Sequence, residues 1–311
     1  MYNYCFGIDV GGTTVKCGLF TVEGELVEKW EIPTRTEENG KAILPDVAAS
    51  ILGKIEEKGL KKEEIAGVGI GVPGPVNDEG EVAVAVNLHW GRVHIVNEME
   101  QLTGLRVKAG NDANVAALGE LWKGGGVGYH NLILVTLGTG VGGGVIINDR
   151  ILSGAHGAAG EIGHTHAADY IKDPCNCGNY GCLEQVASAT GIVRLAKEEL
   201  EAAPEEETAL RGVKVSAKTV FDAVKAGDAL AVRVAERFGG YLGKSLAIFA
   251  GVTDPEAFVI GGGVSKAGPV LLDFVRKYYQ KYAFSANRNA AFVLATLGND
   301  AGIYGAAKML L

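Results

Sequence analysis

The chain has 311 residues, 47% of them hydrophobic, and a formal net charge of -8. That much apolar surface supports a real core and, at this length, about two domains. The acidic balance speaks against nucleic acid as a partner, because its binders concentrate lysine and arginine to displace counterions. No basic segment, apolar stretch and small-residue cleavage site open the chain in that order, so a cytoplasmic protein acting on small molecules is expected.

Taken in order, an apolar run from Phe6 to Val10 meets the turn Gly11-Gly12-Thr13-Thr14, a second run spans Val15 to Phe20, and a third strand begins at Leu26 beyond Glu23-Gly24. A helix is expected from about Ala42 to Lys58, a strand from Ile65 to Val72 and a short helix from Ile95 to Leu102. Gly110-Asn111-Asp112-Ala113 then leads an alanine-rich helix. The stretch from Asn131 to Asn148 carries no charge and is long enough to consider as a membrane span. Its five glycines would each weaken a helix by up to about 1 kcal/mol, so it reads as two strands, Leu132 to Leu137 and Val141 to Ile147, around Gly138-Thr139-Gly140. Asn148-Asp149 makes the next hairpin turn and Ile151 starts the following run.

Helical patterns at Ser188 to Leu200, Ala217 to Ala226 and Ala229 to Phe249 surround a polar stretch, Glu201 to Lys214, whose acidic run Pro204-Glu205-Glu206-Glu207 reads as solvated surface. A strand at Ala257 to Ile260 runs into Gly261-Gly262-Gly263, with a helix from Pro269 to Tyr282 behind it. Gly298-Asn299-Asp300-Ala301 then repeats the earlier phrase before the last helix. Two glycine-threonine hairpins and two Gly-Asn-Asp-Ala phrases point to internal duplication in an α/β chain. The expected division is residues 1–111, a small α/β domain onto which helix 300–311 packs back, and residues 112–299, a larger α/β domain, with a ligand cleft between them.

Several groups can carry chemistry. Asp9, Gly11, Gly12, Thr13, Thr14 and Lys16 set a carboxylate, backbone N–H groups, hydroxyls and a cation around one turn, which suits phosphate and a metal ion. The second hairpin, Gly138-Thr139-Gly140, could hold a polyphosphate from the other side with Mg²⁺ bridging its oxygens. Cys175, Cys177 and Cys182 fall within eight residues of a chain with five cysteines. They offer three corners of a zinc tetrahedron, with His164 or His166 as the fourth, in a closed structural site. Such a site would fix Glu184 and couple it to Glu161, carboxylates able to accept hydrogen bonds from hydroxyls. Asp112 is the candidate general base for phosphoryl transfer to an alcohol. Plain helix capping competes with that role, and the residues alone do not separate Asp112 from Asp300. Asn87 and Asn111 are further hydroxyl partners.

Together, Asp9-Val10-Gly11-Gly12-Thr13, Gly71-Val72-Pro73-Gly74-Pro75, Asn111-Asp112-Ala113-Asn114, Leu137-Gly138-Thr139-Gly140, Glu161-Ile162-Gly163-His164 and the Cys175 to Glu184 segment resemble the repressor–ORF–kinase (ROK) family from residue 4 to about residue 308. The resemblance implies a duplicated actin-like ATPase (ribonuclease-H-like) fold with a central cleft, and an ATP-dependent hexose kinase making glucose 6-phosphate. Fructose, mannose, N-acetylglucosamine and N-acetylmannosamine kinases share much of the framework. It further implies Asp112 as base, zinc on His164, Cys175, Cys177 and Cys182, and sugar contacts from Asn87, Asn111, Asp112, Glu161, His164 and Glu184. ATP with Mg²⁺ would lie against the two hairpins and Gly261-Gly262-Gly263, closure would follow sugar binding, and a homodimer is expected. Sugar-sensing repressors of the same family carry a winged-helix segment ahead of the sugar domain, and the first strand at Tyr4 leaves no room for one, so an enzyme is expected.

Overall fold

The computed structural model describes residues 2–77 and 79–311. Its strands are β1 (Tyr4–Val10), β2 (Thr14–Thr21), β3 (Leu26–Pro33), β4 (Ile65–Val72), β5 (Glu81–Val82), β6 (Val93–His94), β7 (Val107–Asn111), β8 (Leu132–Leu137), β9 (Val141–Ile147), β10 (Arg150–Ile151), β11 (Ala257–Gly261) and β12 (Ala291–Leu294). One five-stranded sheet has the order β3-β2-β1-β4-β7 and the other β10-β9-β8-β11-β12, while β5 and β6 form a small ribbon. In chain order each sheet reads third, second, first, fourth, fifth. The β1–β2, β2–β3 and β9–β10 pairs are antiparallel; β1–β4, β4–β7, β8–β11 and β11–β12 are parallel. Two mixed sheets with one repeated connectivity are the duplicated actin-like, ribonuclease-H-like fold.

The side chains explain these placements. All eight residues of β4 are buried, as a central strand covered on both faces requires. β3, at the sheet edge, alternates half-buried and exposed positions along its whole length, the period of a strand with one covered face. The helix Ile43–Lys58 buries Ile43, Leu44, Val47, Ala48, Ile51 and Ile55, a single stripe at helical spacing. It joins Phe6, Ile8, Val10, Val68, Ile70 and Val72 in one core. The helix stops at Gly59, whose φ of 64° closes its C-terminus in the left-handed region.

The chain divides into two compact units: residues up to Gly128 with Gly144–Gly160 and Leu297–Leu311, and Tyr129–Gly143 with Glu161–Thr296. Within the first unit, the last helix (Ala301–Lys308) lies at backbone contact with its neighbours. A Cβ on Gly7 of β1 would strike the Ile303 carbonyl, one on Gly69 of β4 the Ala306 carbonyl, and one on Gly305 the Val115 carbonyl of the helix Asp112–Lys123. Glycine is required where two backbones meet this closely.

Three local expectations change. The helix beginning at Ala229 runs to Thr253, beyond Phe249, and Asp254 ends it with φ 43°. The second Gly-Asn-Asp phrase forms a 3-10 turn, Gly298–Asp300, with no side-chain cap. The acidic run is not merely solvated, because Glu206 receives both terminal nitrogens of Arg233 at 3.0 and 2.7 Å. Among the described residues, no helix is long and apolar enough to cross a membrane.

Candidate active site

The first unit holds the β1–β2 turn and Asp112. Thr34 ties this turn down by donating its hydroxyl to the Gly11 carbonyl at 2.7 Å and its N–H to the Thr13 carbonyl at 2.9 Å. Gly11 donates to the Thr14 carbonyl at 3.1 Å, and Gly12 faces Asn87, where a Cβ would lie 3.4 Å from the Asn87 carbonyl oxygen. Asp9 and Lys16 are register partners across the hairpin, and Lys16 Nζ donates to the Asn299 carbonyl at 3.0 Å. Burial pushes the Asp9 carboxyl up to about 6, with Lys16 opposing the shift and Asp112 adding to it. A buried carboxyl beside a second carboxylate gains from a cation placed between them, so Asp9 fits the Mg²⁺ expected at this turn.

Asn111 and Asp112 stand where β7 becomes a helix. Asn111 has extended backbone, φ -61° and ψ 141°, and its Oδ1 accepts from the N–H groups of Ala113 and Asn114 at 3.0 and 3.1 Å. Its Nδ2 donates to the Gly74 carbonyl at 3.1 Å. The capping role therefore belongs to Asn111. Asp112 is the first helical residue, and its Oδ1 also accepts from the Ala113 N–H, at 2.8 Å. In the second phrase the Asp300 carboxylate pairs with Lys29 at 2.8 Å.

In the second unit the cysteine loop gathers its sulfurs. The ligand atoms of His164, Cys175, Cys177 and Cys182 all lie within 4.8 Å of one another. The Cys177–Cys182 sulfurs are 3.6 Å apart, as are Cys175 Sγ and His164 Nδ1. A tetrahedron with bonds of about 2.3 Å has edges of roughly 3.8 Å, so this donor set fits zinc. His166 stands apart from the cluster, bonded to the Tyr180 carbonyl at 3.0 Å and to Asp169 at 2.7 Å. Gly178 and Gly181, with φ of 88° and 69°, give the loop its turns. Burial raises the Cys175 and Cys182 thiols, while the Asn179 N–H lowers Cys177; loading a cation there would release protons.

Two carboxylates flank the cluster. Glu184 Oε1 accepts from the Cys175 thiol at 2.9 Å and lies 3.7 Å from His164 Nδ1, while Glu161 lies 3.9 Å from His164 Nε2. His164 thus turns Nδ1 toward the sulfurs and Nε2 toward Glu161. Glu184 also reaches the second glycine turn, since a Cβ on Gly140 would strike its Oε2. That turn closes on itself through Gly138 N–H to the Gly140 carbonyl at 3.0 Å. Gly262, with φ 81°, packs against the backbone of Leu137 just before it. Gly263 borders a cavity of about 190 Å³ lined also by Phe221, Val264, Lys218, Asp222, Lys225 and Lys266.

The sequence reading missed Thr34 and the segment Ser188-Ala189-Thr190, which also touches the second turn. A serine heading a helix signals only a cap, and Ser188 is one; nothing local announces its partner turn some fifty residues earlier.

A family model described as the ROK family matches residues 5–311. A glucokinase from Halalkalibacterium halodurans is 46% identical over 305 residues, covering 96% of this chain and 92% of that protein. The crystal structure of a ROK family glucokinase from Streptomyces griseus, in complex with glucose and AMPPNP, matches with a TM-score of 0.74 at 35% identity over 98% of both chains. An N-acetyl-D-glucosamine kinase from Mannheimia succiniciproducens is 31% identical over 98% of this chain and 99% of that one. By the extent of the family match and the identity to full-length relatives, this chain belongs to the ROK family.

Proposed function

We propose that this ROK-family sugar kinase transfers the γ-phosphoryl group of ATP to glucose, forming glucose 6-phosphate, with Asp112 as the general base. In the second of the two repeated phrases Asp300 pairs with Lys29. The observation that supports the base assignment is the place of Asp112, the first residue of the Asp112–Lys123 helix and near enough to Asp9 of the β1–β2 hairpin to push that carboxyl up. Asp112 accepts the hydroxyl proton as the new O–P bond forms, because an alcohol is too weak an acid to ionise first.

Asn87, Asn111, Glu161, His164 and Glu184 are the proposed sugar partners beside Asp112. The turns at Gly11-Gly12-Thr13-Thr14 and Gly138-Thr139-Gly140, with Lys16 and Gly261-Gly262-Gly263, are proposed to receive ATP, and Asp9 its Mg²⁺. Bound Mg²⁺ would supply charge neutralisation at the phosphates. Zinc held by His164, Cys175, Cys177 and Cys182 would be closed to water, its part being to fix Glu184 and Glu161. Glucose is favoured by the 46% identity to a glucokinase and by the glucose-bound relative. The kinship to an N-acetyl-D-glucosamine kinase keeps an amino-sugar acceptor as the second reading.

The test is ADP release in a coupled assay with Mg-ATP across glucose, fructose, mannose, N-acetylglucosamine and N-acetylmannosamine, with a no-sugar control. Glucose should give the highest kcat/KM. Another sugar in first place overturns the acceptor, and no sugar above the control overturns the kinase reading itself.

A further inference from the structure

The second glycine turn is held from behind by one short stretch of chain. The Ala189 N–H donates to the Gly138 carbonyl at 2.8 Å, and the Thr190 hydroxyl donates to the Thr139 carbonyl at 2.8 Å. The Thr190 hydroxyl is in turn 2.8 Å from the Ser188 hydroxyl, which is buried and accepts from the Gly191 N–H at 3.0 Å as the cap of helix Ala189–Ala202. Glu184, four residues before Ser188, blocks any side chain at Gly140. All three residues of the turn are thus set by the segment that leaves the cysteine loop at Cys182.

The consequence follows from the planarity of the peptide bond. In a trans peptide the carbonyl and the next residue's N–H point in opposite directions. Drawing the Gly138 and Thr139 carbonyls toward Ala189 and Thr190 therefore turns the N–H groups of Thr139 and Gly140 to the far side, in parallel. Two adjacent, parallel N–H donors on a glycine turn make an anion-binding concavity.

We propose that Thr190 is a positioning residue for the nucleotide: with Ala189 it sets the peptide planes of Gly138–Gly140 so that the Thr139 and Gly140 N–H groups face a phosphate. The proposal rests on the kinase reading above. Through Cys182, Glu184 and Ser188 it also makes the end of the cysteine loop the support of the phosphate turn. Thr190 is itself exposed, so removing its hydroxyl perturbs the turn without opening the core.

The experiment compares wild type, Thr190→Val and Thr190→Ser by calorimetric titration with Mg-AMPPNP and, separately, with glucose, alongside Tm. One hydrogen bond that orients a donor pair corresponds to about a three- to tenfold change in affinity. Thr190→Val should weaken AMPPNP by that factor and raise the KM for ATP in step. Its glucose Kd should stay within about twofold, its Tm should fall by no more than about 5 °C, and Thr190→Ser should restore nucleotide binding. Wild-type AMPPNP affinity in Thr190→Val overturns the proposal alone, as does parallel loss of both ligands with a larger fall in Tm, which marks a merely structural role. A wild-type protein that takes up no nucleotide sinks the kinase reading and this inference with it.

Discussion

Replacing Asp9 with asparagine should stabilise the protein near neutral pH, and the gain should shrink as the solution is acidified. The folded Asp9 carboxyl sits at about 6 against an ordinary value of 3.8, chiefly because burial disfavours its charge. A raised carboxyl means that the folded state holds its proton more tightly than the unfolded chain. Stability from this group is therefore greatest below the unfolded value and is lost as pH rises through about 6. A shift of about 2 units makes the ionised form cost roughly 3 kcal/mol at pH 7.5 and roughly 1.5 kcal/mol at pH 5. The amide keeps the shape and removes the charge. Urea unfolding of both proteins at several pH values reads the difference directly. The expected result is a higher midpoint for Asp9→Asn at pH 7.5 that converges on wild type by about pH 4. A less stable variant at pH 7.5, with a gap that does not change with pH, would refute the buried-charge reasoning.

Two further outcomes concern packing and metal. Gly305→Ala forces a methyl group into the Val115 carbonyl, so it should lose about 3 kcal/mol, measured as a lower urea midpoint at unchanged slope; a near-neutral effect would mean that the last helix shifts freely. Cys177→Ser should reduce zinc from one per chain toward none by elemental analysis and lower Tm by at least about 5 °C, as a loss of a few kcal/mol implies. A variant retaining full zinc would move the site away from these four side chains.

Much of the fold could be read from local pattern. The apolar run Ile65 to Val72 marks β4, and Pro269 to Tyr282 marks a helix with the same bounds. Both repeated hairpins left their mark as glycine between apolar runs. What escaped depends on partners distant in sequence. The two Gly-Asn-Asp phrases look alike, yet the first has Asn111 as a cap bonded to Gly74 while the second has Asp300 paired with Lys29. Glu206 looked like solvated charge because nothing near it shows that Arg233 lies opposite. For the candidate site, the spacing of Cys175, Cys177 and Cys182 identified a cluster but left His164 and His166 open. Asp169 takes His166, a pairing visible only in three dimensions. Glu120 is almost fully buried and accepts from the N–H groups of Gly125 and Leu297 at 2.8 and 2.9 Å; helical periodicity alone would have placed such a carboxylate on the surface.

The most direct test of the account is Asp112→Asn, followed by glucose binding in a calorimeter and by formation of glucose 6-phosphate under Mg-ATP. Loss of a general base should lower kcat by about 10²- to 10⁴-fold, while glucose affinity changes by less than about tenfold because the amide preserves the shape and the hydrogen-bonding reach. Turnover near the wild-type rate would contradict the account, since Asp112 would then be no base and the proton would have to leave by another group.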